Sequence, residues 1–169
     1  MRILLDRVDS ISEWSGRVVC WLILALIFAI TFDVGLRYLF SAPTAWSYDL
    51  SYMLGGSFMV LGGAYTLLHK GHIRVDIVYG RLSPRVQTIL DTILTFFIFF
   101  PFMSVLLYYS IDFAVHSVVR NEVSSISVWA PVMWPFRWAI VIAISLFLLQ
   151  GICWFIRNVS SFIGGKACD

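Results

Sequence analysis

The hydrophobic positions of this chain fall into four long runs separated by short polar stretches. The runs cover about residues 18–39, 50–68, 89–115 and 136–156. A helix needs roughly 20 mostly apolar residues to cross a bilayer, so each run is long enough to span a membrane. The pattern therefore predicts an all-α membrane protein with four transmembrane helices, organised as a single four-helix domain over residues 1–169.

A different pattern precedes the first run. Leu4, Val8, Ile11 and Val18 recur with helical spacing, and charged residues occupy many of the positions between them. This alternation is typical of an amphipathic helix, which we expect to lie at the membrane interface before the first span. A cleaved signal peptide is the alternative, but the acidic residues before the run and the length of the run favour a retained anchor.

Two polar features interrupt the apolar runs. Asp33 and Arg37 are four residues apart in the first run, which places them on one helical face, and we expect them near the outer membrane boundary. An intramembrane charge is by default a functional hypothesis. Here we favour a structural pair, because no further acidic groups at the same depth form a relay. Gln150 is the one strongly polar residue of the fourth run.

Glycine and proline suggest how the helices pack. The second run carries two glycine pairs, Gly55–Gly56 and Gly62–Gly63. A separation of seven residues returns each glycine to nearly the same face, so this face is predicted to admit another helix closely. Pro101 lies at the middle of the third run, where the missing backbone donor predicts a kink.

Lysine and arginine are unevenly distributed among the segments outside the runs. Most lie in the N-terminal segment, the loop after the second run and the C-terminal tail, and only Arg37, Arg120 and Arg137 fall on the other side. By the positive-inside rule, both termini and the middle loop are predicted to be cytoplasmic. The tryptophans near the predicted span ends agree with this placement as an aromatic belt.

Composition narrows the function classes. The chain is 60% hydrophobic and 13% charged, which is far too apolar for an ordinary soluble domain. Its net charge of +2 does not predict nucleic-acid binding, because the basic residues are separated by apolar spans and form no continuous patch. Cys20, Cys153 and Cys168 have no metal-ligand or redox spacing.

We predict no catalytic, cofactor or metal site. His69 and His72 fall at the cytoplasmic end of the second run and His116 falls on the outer side, so they cannot share a metal or hold a haem between helices. The chain also lacks the phosphate-binding, nucleophile-elbow and zinc-protease motifs. The sequence therefore does not indicate an enzyme.

Three stretches carry motifs that occur together in one family. They are Arg37-Tyr38-Leu39-Phe40 with Pro43, Trp46 and Asp49; Gly62-Gly63-Ala64-Tyr65 leading into Gly71-His72-Ile73-Arg74-Val75-Asp76; and Ser124-Ser125-Ile126-Ser127 with Trp129, Pro131, Trp134 and Pro135. In this order, and over four spans, they resemble the small permease subunits of tripartite ATP-independent periplasmic (TRAP) transporters, the DctQ family. The departures are Tyr48-Asp49, where two glutamates are expected, and Ala130, where an aliphatic residue is commoner.

The resemblance implies a function and a set of partners. Such subunits lie in the bacterial inner membrane, beside a large DctM-like membrane subunit and a periplasmic DctP-like solute-binding protein. The complex takes up organic acids, often carboxylates, with sodium. The solute and sodium sites lie in the large subunit, so the small subunit is expected to brace it and to contact membrane lipids.

The residues that we expect to serve structure and assembly are Asp33, Arg37, Trp46, Asp49, Gly55, Gly56, Gly62, Gly63, His72, Arg74, Asp76 and Pro131. A small membrane redox protein and a self-sufficient four-helix channel or exporter are the alternative functions. The first would need redox cysteines or histidines inside the spans, and the second would need polar faces that line a pore.

Overall fold

The structure, a computed structural model, describes residues 2–42, 44–69 and 83–163. Within these ranges the regular elements are helices. Helix α1 covers Arg2–Phe40 and α2 covers Ser47–Leu68. Helix α3 is a continuous rod of three segments, Pro84–Leu94, a π-helical turn at Thr95–Phe99, and Phe100–Val119. Helix α4 covers Trp134–Ile163.

Three of these helices are long and apolar enough to cross a membrane. They are α1 over Arg7–Phe40, α3 over Ile89–Val119 and α4 over Trp134–Val159. Helix α2 has 22 residues but is not among the three, because glycines, serines and tyrosines interrupt its apolar run. The prediction of an all-helical, multi-pass membrane protein is confirmed to this extent.

The first helix differs from its prediction. The sequence predicts an interfacial helix followed by a separate span, whereas α1 is unbroken for 39 residues, a length of about 58 Å. The predicted separation is therefore wrong. The segment before residue 18 contains no proline, and its single glycine, Gly16, lies directly against the Tyr65 side chain of α2. Helix α1 still faces α2 at Val19, where the apolar run begins, because Val19 lies 4.0 Å from the Cβ position of Gly62. No proline interrupts the backbone between the two parts of the helix.

The third and fourth helices extend beyond the predicted runs. Helix α3 begins at Pro84 and ends at Val119, and α4 continues to Ile163. The sequence predicts a kink at Pro101, and the structure has a π-helical turn at Thr95–Phe99, just before this proline. A proline ring clashes with the carbonyl group four residues earlier. That residue is Phe97, which lies inside this turn, and a π turn is a recognised way to accommodate such a clash.

Helix packing places α2 between α1 and α4. Helix α1 also contacts α4, and α3 packs chiefly against α4. The core between α2 and α4 is built from small or medium side chains such as Ala64, Ala143 and Ile144. Large apolar side chains on α1 and α3, among them Trp21 and Phe97, remain exposed. This distribution is what lipid-facing helices require, because a bilayer does not penalise exposed apolar surface.

Candidate functional site

Polar side chains gather at the two ends of the bundle. We name the end that carries residues 41–46 and 120–133 the loop end, and the end that carries Asp9 and Arg157 the terminal end. A polar group that is buried without a partner is costly, and in lipid the cost is several kcal/mol. The partners of each buried polar group therefore show what the group does in the fold.

Asp33 holds the connection between α1 and α2 at the loop end. Its carboxylate is buried and accepts a hydrogen bond of 2.9 Å from the Thr44 backbone N–H. It also accepts one from the Thr44 hydroxyl and one of 3.0 Å from the Arg37 guanidinium. Ser41, in the left-handed region at φ 53°, turns the chain after α1. Trp46, which precedes α2, stacks on Phe32 with ring centroids 6.2 Å apart.

Asp49 ties α2 to the loop between α3 and α4. It lies in the first turn of α2 and is only 2% exposed. Its carboxylate accepts a 2.7 Å hydrogen bond from the Ser124 hydroxyl and a second bond from the Ser127 hydroxyl. Backbone N–H groups at a helix start also favour a negative charge there. Asp49 thus joins the start of α2 to a loop that lies more than 70 positions later in the chain.

The loop at 120–133 has a defined backbone structure. Asn121, at φ 47°, ends α3 in a Schellman arrangement in which the Glu122 N–H binds the Ser117 carbonyl at 3.1 Å. Val123 and Val132 form an antiparallel bridge, and the Ser124 N–H donates to the Pro131 carbonyl at 2.9 Å. Pro131, singled out from the sequence, therefore closes the loop through its backbone oxygen.

Arg137 joins this loop to α3 and α4. Its guanidinium makes two bonds to the Glu122 carboxylate, at 2.5 and 2.6 Å. The same group lies 3.6 Å from the centroid of the Phe113 ring and is 8% exposed. A paired guanidinium over an aromatic face satisfies a charge that would otherwise be expensive to bury. The sequence assigned Arg137 only to orientation and missed this contact.

The terminal end contains a second polar cluster, formed by Asp9, Ser12, Gln150 and Arg157. The Ser12 hydroxyl donates to the Gln150 side-chain oxygen at 2.9 Å, and the Gln150 amide donates to Asp9 at 3.1 Å. The Arg157 guanidinium also donates to Asp9. Gln150 is 2% exposed and Ser12 is fully buried. These bonds fix the N-terminal part of α1 against the C-terminal half of α4.

The predicted glycine face of α2 divides between two neighbours. A Cβ atom on Gly56 would lie 2.9 Å from the Phe136 ring, and one on Gly63 would lie 3.8 Å from the Phe147 ring, so both glycines face α4. Gly62 faces α1 more loosely, with Val19 at 4.0 Å, and Gly55 has no heavy atom within 4 Å. The four glycines therefore do not share one function inside the chain.

The tightest glycine contacts lie elsewhere. A Cβ atom on Gly16 would lie 2.3 Å from the Tyr65 ring, and one on Gly151 would lie 2.3 Å from the Phe99 ring. Neither glycine was singled out from the sequence, because an isolated glycine in an apolar helix carries no spacing signal. Each allows an aromatic ring to pack directly on a neighbouring helix backbone.

His72, Arg74 and Asp76, also expected to serve assembly, lie outside the described residues. His69, just after α2, is 3.6 Å from Glu13. His116 pairs with Asp112 on the exposed surface of α3 at 3.5 Å. In the part of the chain that the structure describes, no three His, Cys, Asp or Glu side chains are grouped so that they could hold a metal ion.

Comparison with known protein families gives a match over most of the chain. The family model described as "Tripartite ATP-independent periplasmic transporters, DctQ component" matches residues 26–161. The matched region includes Asp33, Asp49, the loop at 120–133 and Gln150. It excludes Asp9 and Ser12 of the terminal cluster. No curated protein matches the chain.

Proposed function

The chain belongs to the DctQ family of tripartite ATP-independent periplasmic transporters, and we propose that it braces the large membrane subunit of such a transporter. In our proposal the complex takes up an organic acid, often a carboxylate, with sodium. A periplasmic binding protein delivers the solute. The family is a transporter component and not an enzyme family, and the chain is a multi-pass membrane protein.

The bracing role is supported by the positions of the buried polar groups and by the residues to which they bond. Asp33 and Asp49 bind residues of the loops, Arg137 binds Glu122, and Gln150 joins α1 to α4. These groups hold helices and loops together at the ends of the bundle. A subunit whose helices and loops are joined by such bonds is suited to keep its shape while a partner moves.

Helix α2 completes a proposed set of four spans. The charge-free stretch between the polar residues at its ends runs from Asp49 to His69, and the corresponding stretch of α4 runs from Arg137 to Arg157. Each covers about 30 Å at 1.5 Å per residue, which equals the thickness of a bilayer core. This spacing supports α2 as a span even though its hydropathy is lower. The lysine and arginine distribution supports cytoplasmic termini in a bacterial inner membrane.

Reconstitution tests this function. The chain, the large subunit and the binding protein are purified and combined in vesicles, and uptake of labelled carboxylates is measured with and without an inward sodium gradient. We expect accumulation only with all three proteins and sodium. Equal uptake without this chain would contradict its role as a required brace. Solute flux through the chain alone would favour a self-sufficient channel, and visible absorbance of the purified chain would favour a redox protein.

Gly62 offers a test of assembly. Close helix contacts replace hydrophobic burial as the attraction between helices in lipid. Gly62→Leu is therefore expected to lower the amount of large subunit that copurifies with the chain. Gly35→Leu is the control, because a side chain at Gly35 would meet no heavy atom within 4 Å and Gly35 lies on α1, outside the glycine pairs of α2. Unchanged copurification of Gly62→Leu would contradict the assembly role.

The loop that contains His72, Arg74 and Asp76 is a second proposed assembly surface. We expect it to bind the partner or lipid headgroups through its mixed charges. Alanine variants should lower uptake in proportion to the loss of complex. A normal amount of complex with abolished uptake would instead indicate a direct part in transport.

A further inference from the structure

The loop between α3 and α4 presents an apolar tip on a rigid base. Val128 is 96% exposed, and Ile126 and Trp129 are also exposed. From Val123 to Phe136 the chain carries no charged residue. The base is fixed by the Val123–Val132 bridge and the two serine bonds to Asp49. The apolar side chains therefore remain exposed because the fold holds them there.

The position of the loop identifies what covers the tip. Ser124 and Ser127 bind Asp49 in the first turn of α2, and Glu122 binds Arg137 in the first turn of α4. The loop is thus folded back to the level at which these helices begin. Tryptophan side chains prefer the membrane–water boundary, and apolar side chains beside them gain by entering it.

We propose that Ile126, Val128 and Trp129 form a lipid anchor that inserts into the headgroup and upper acyl region of the adjoining leaflet. The occupant is lipid, because the tip carries no charge or buried polar group that would select a protein partner. The anchor would fix the depth of α2 and α4 in the membrane. This inference requires only that the chain is embedded in a bilayer, and it does not depend on the transported solute or on the partner subunits.

Site-directed spin labelling tests the anchor in the full chain. Cys20, Cys153 and Cys168 are first replaced, and single cysteines are then introduced by Val128→Cys or Ile126→Cys. Neither change is expected to disturb folding, since both side chains are exposed. The labelled chain is reconstituted alone in phosphatidylcholine–phosphatidylglycerol vesicles. Collision of the label with oxygen, which concentrates in lipid, is compared with collision with a water-soluble nickel chelate.

Two positions calibrate the result. Arg120→Cys lies at the exposed end of α3 and represents the aqueous side, and Phe102→Cys lies on the exposed face of the same helix and represents the bilayer. We expect the oxygen-to-nickel ratio at positions 126 and 128 to exceed that at 120 several-fold. A ratio equal to that at 120 would overturn the proposal. So would protection that develops only when the large subunit or the binding protein is added, because the tip would then be a protein-docking surface.

Discussion

Replacement of Asp49 tests whether the loop clamp stabilises the bundle. The carboxylate is 2% exposed and accepts hydrogen bonds from Ser124 and Ser127. A hydrogen bond to a charged group contributes about 1.5–3 kcal/mol. Ser127 is only half-buried, so water can replace part of its bond. We therefore expect Asp49→Ala to lower the free energy of unfolding by about 2–4 kcal/mol.

A double-mutant cycle assigns this loss to the clamp. Ser124→Ala removes one of the two donors and should cost about 1–2 kcal/mol. If the two side chains act through each other, the double variant should lose less than the sum of the single variants, with a coupling of about 1 kcal/mol or more. Unfolding is followed by tryptophan fluorescence during titration of detergent micelles with dodecyl sulfate. This assay measures all variants under the same conditions.

Asp112 provides the matched control. It is another aspartate in a pair, with His116 at 3.5 Å, but both side chains are more than half exposed. An exposed pair within one helix contributes about 0.3–0.5 kcal/mol, so Asp112→Ala should change stability little. If Asp49→Ala also stays within about 0.5 kcal/mol of the parent chain, or if its coupling to Ser124 is close to zero, the Asp49 clamp does not stabilise the bundle.

Two further predictions concern contacts that the sequence did not reveal. Gly151→Ala should lower the free energy of unfolding by about 1–3 kcal/mol because its Cβ would meet the Phe99 ring, whereas Gly55→Ala, with open space around it, should lower it little. Phe99→Leu should restore part of the stability lost in Gly151→Ala in the same unfolding assay. Equal effects of the two glycine substitutions would contradict the packing of Phe99 on Gly151. Asp9→Ala leaves Arg157 without its carboxylate, which should release the start of α1 and speed amide hydrogen exchange there; unchanged exchange would show that the terminal cluster does not hold the helix.

The lengths of the apolar runs predicted the helices well, because length and apolarity alone decide whether a segment can cross a membrane. At the loop end, the predicted boundaries of the helices lie within a few residues of the observed ones. The apolar pattern placed the end of α4 seven residues too early, since the last turns beyond 156 contain polar groups. It also divided α1, because the change from an amphipathic to an apolar pattern marks a change of surroundings and not a break in the backbone.

The partners of polar residues were less accessible to prediction. Asp33 and Arg37 are four residues apart, so their pairing followed from helical geometry. Asp49 was singled out as well, but its serine partners are far away in sequence and depend on how the loop folds back. The contact of Gln150 with Asp9 could not be predicted for the same reason, because the two residues are far apart in sequence. Local spacing reveals neighbours within a helix, whereas contacts between helices require the tertiary arrangement.

The distribution of these contacts along the helices bears on how the subunit could act as a brace. Near the loop end, charge-assisted bonds of Asp33, Asp49 and Arg137 join helices to loops, and toward the other end the bonds of Asp9 and Gln150 join α1 to α4. Between these ends α2 and α4 meet through glycines and aromatic rings, which resist sliding by shape but supply little directional attraction. Loss of an end contact should therefore loosen the bundle more than loss of a mid-helix apolar contact of similar area. This ranking follows from the low value of apolar burial in lipid, and it would reverse if the same bundle were held together in water.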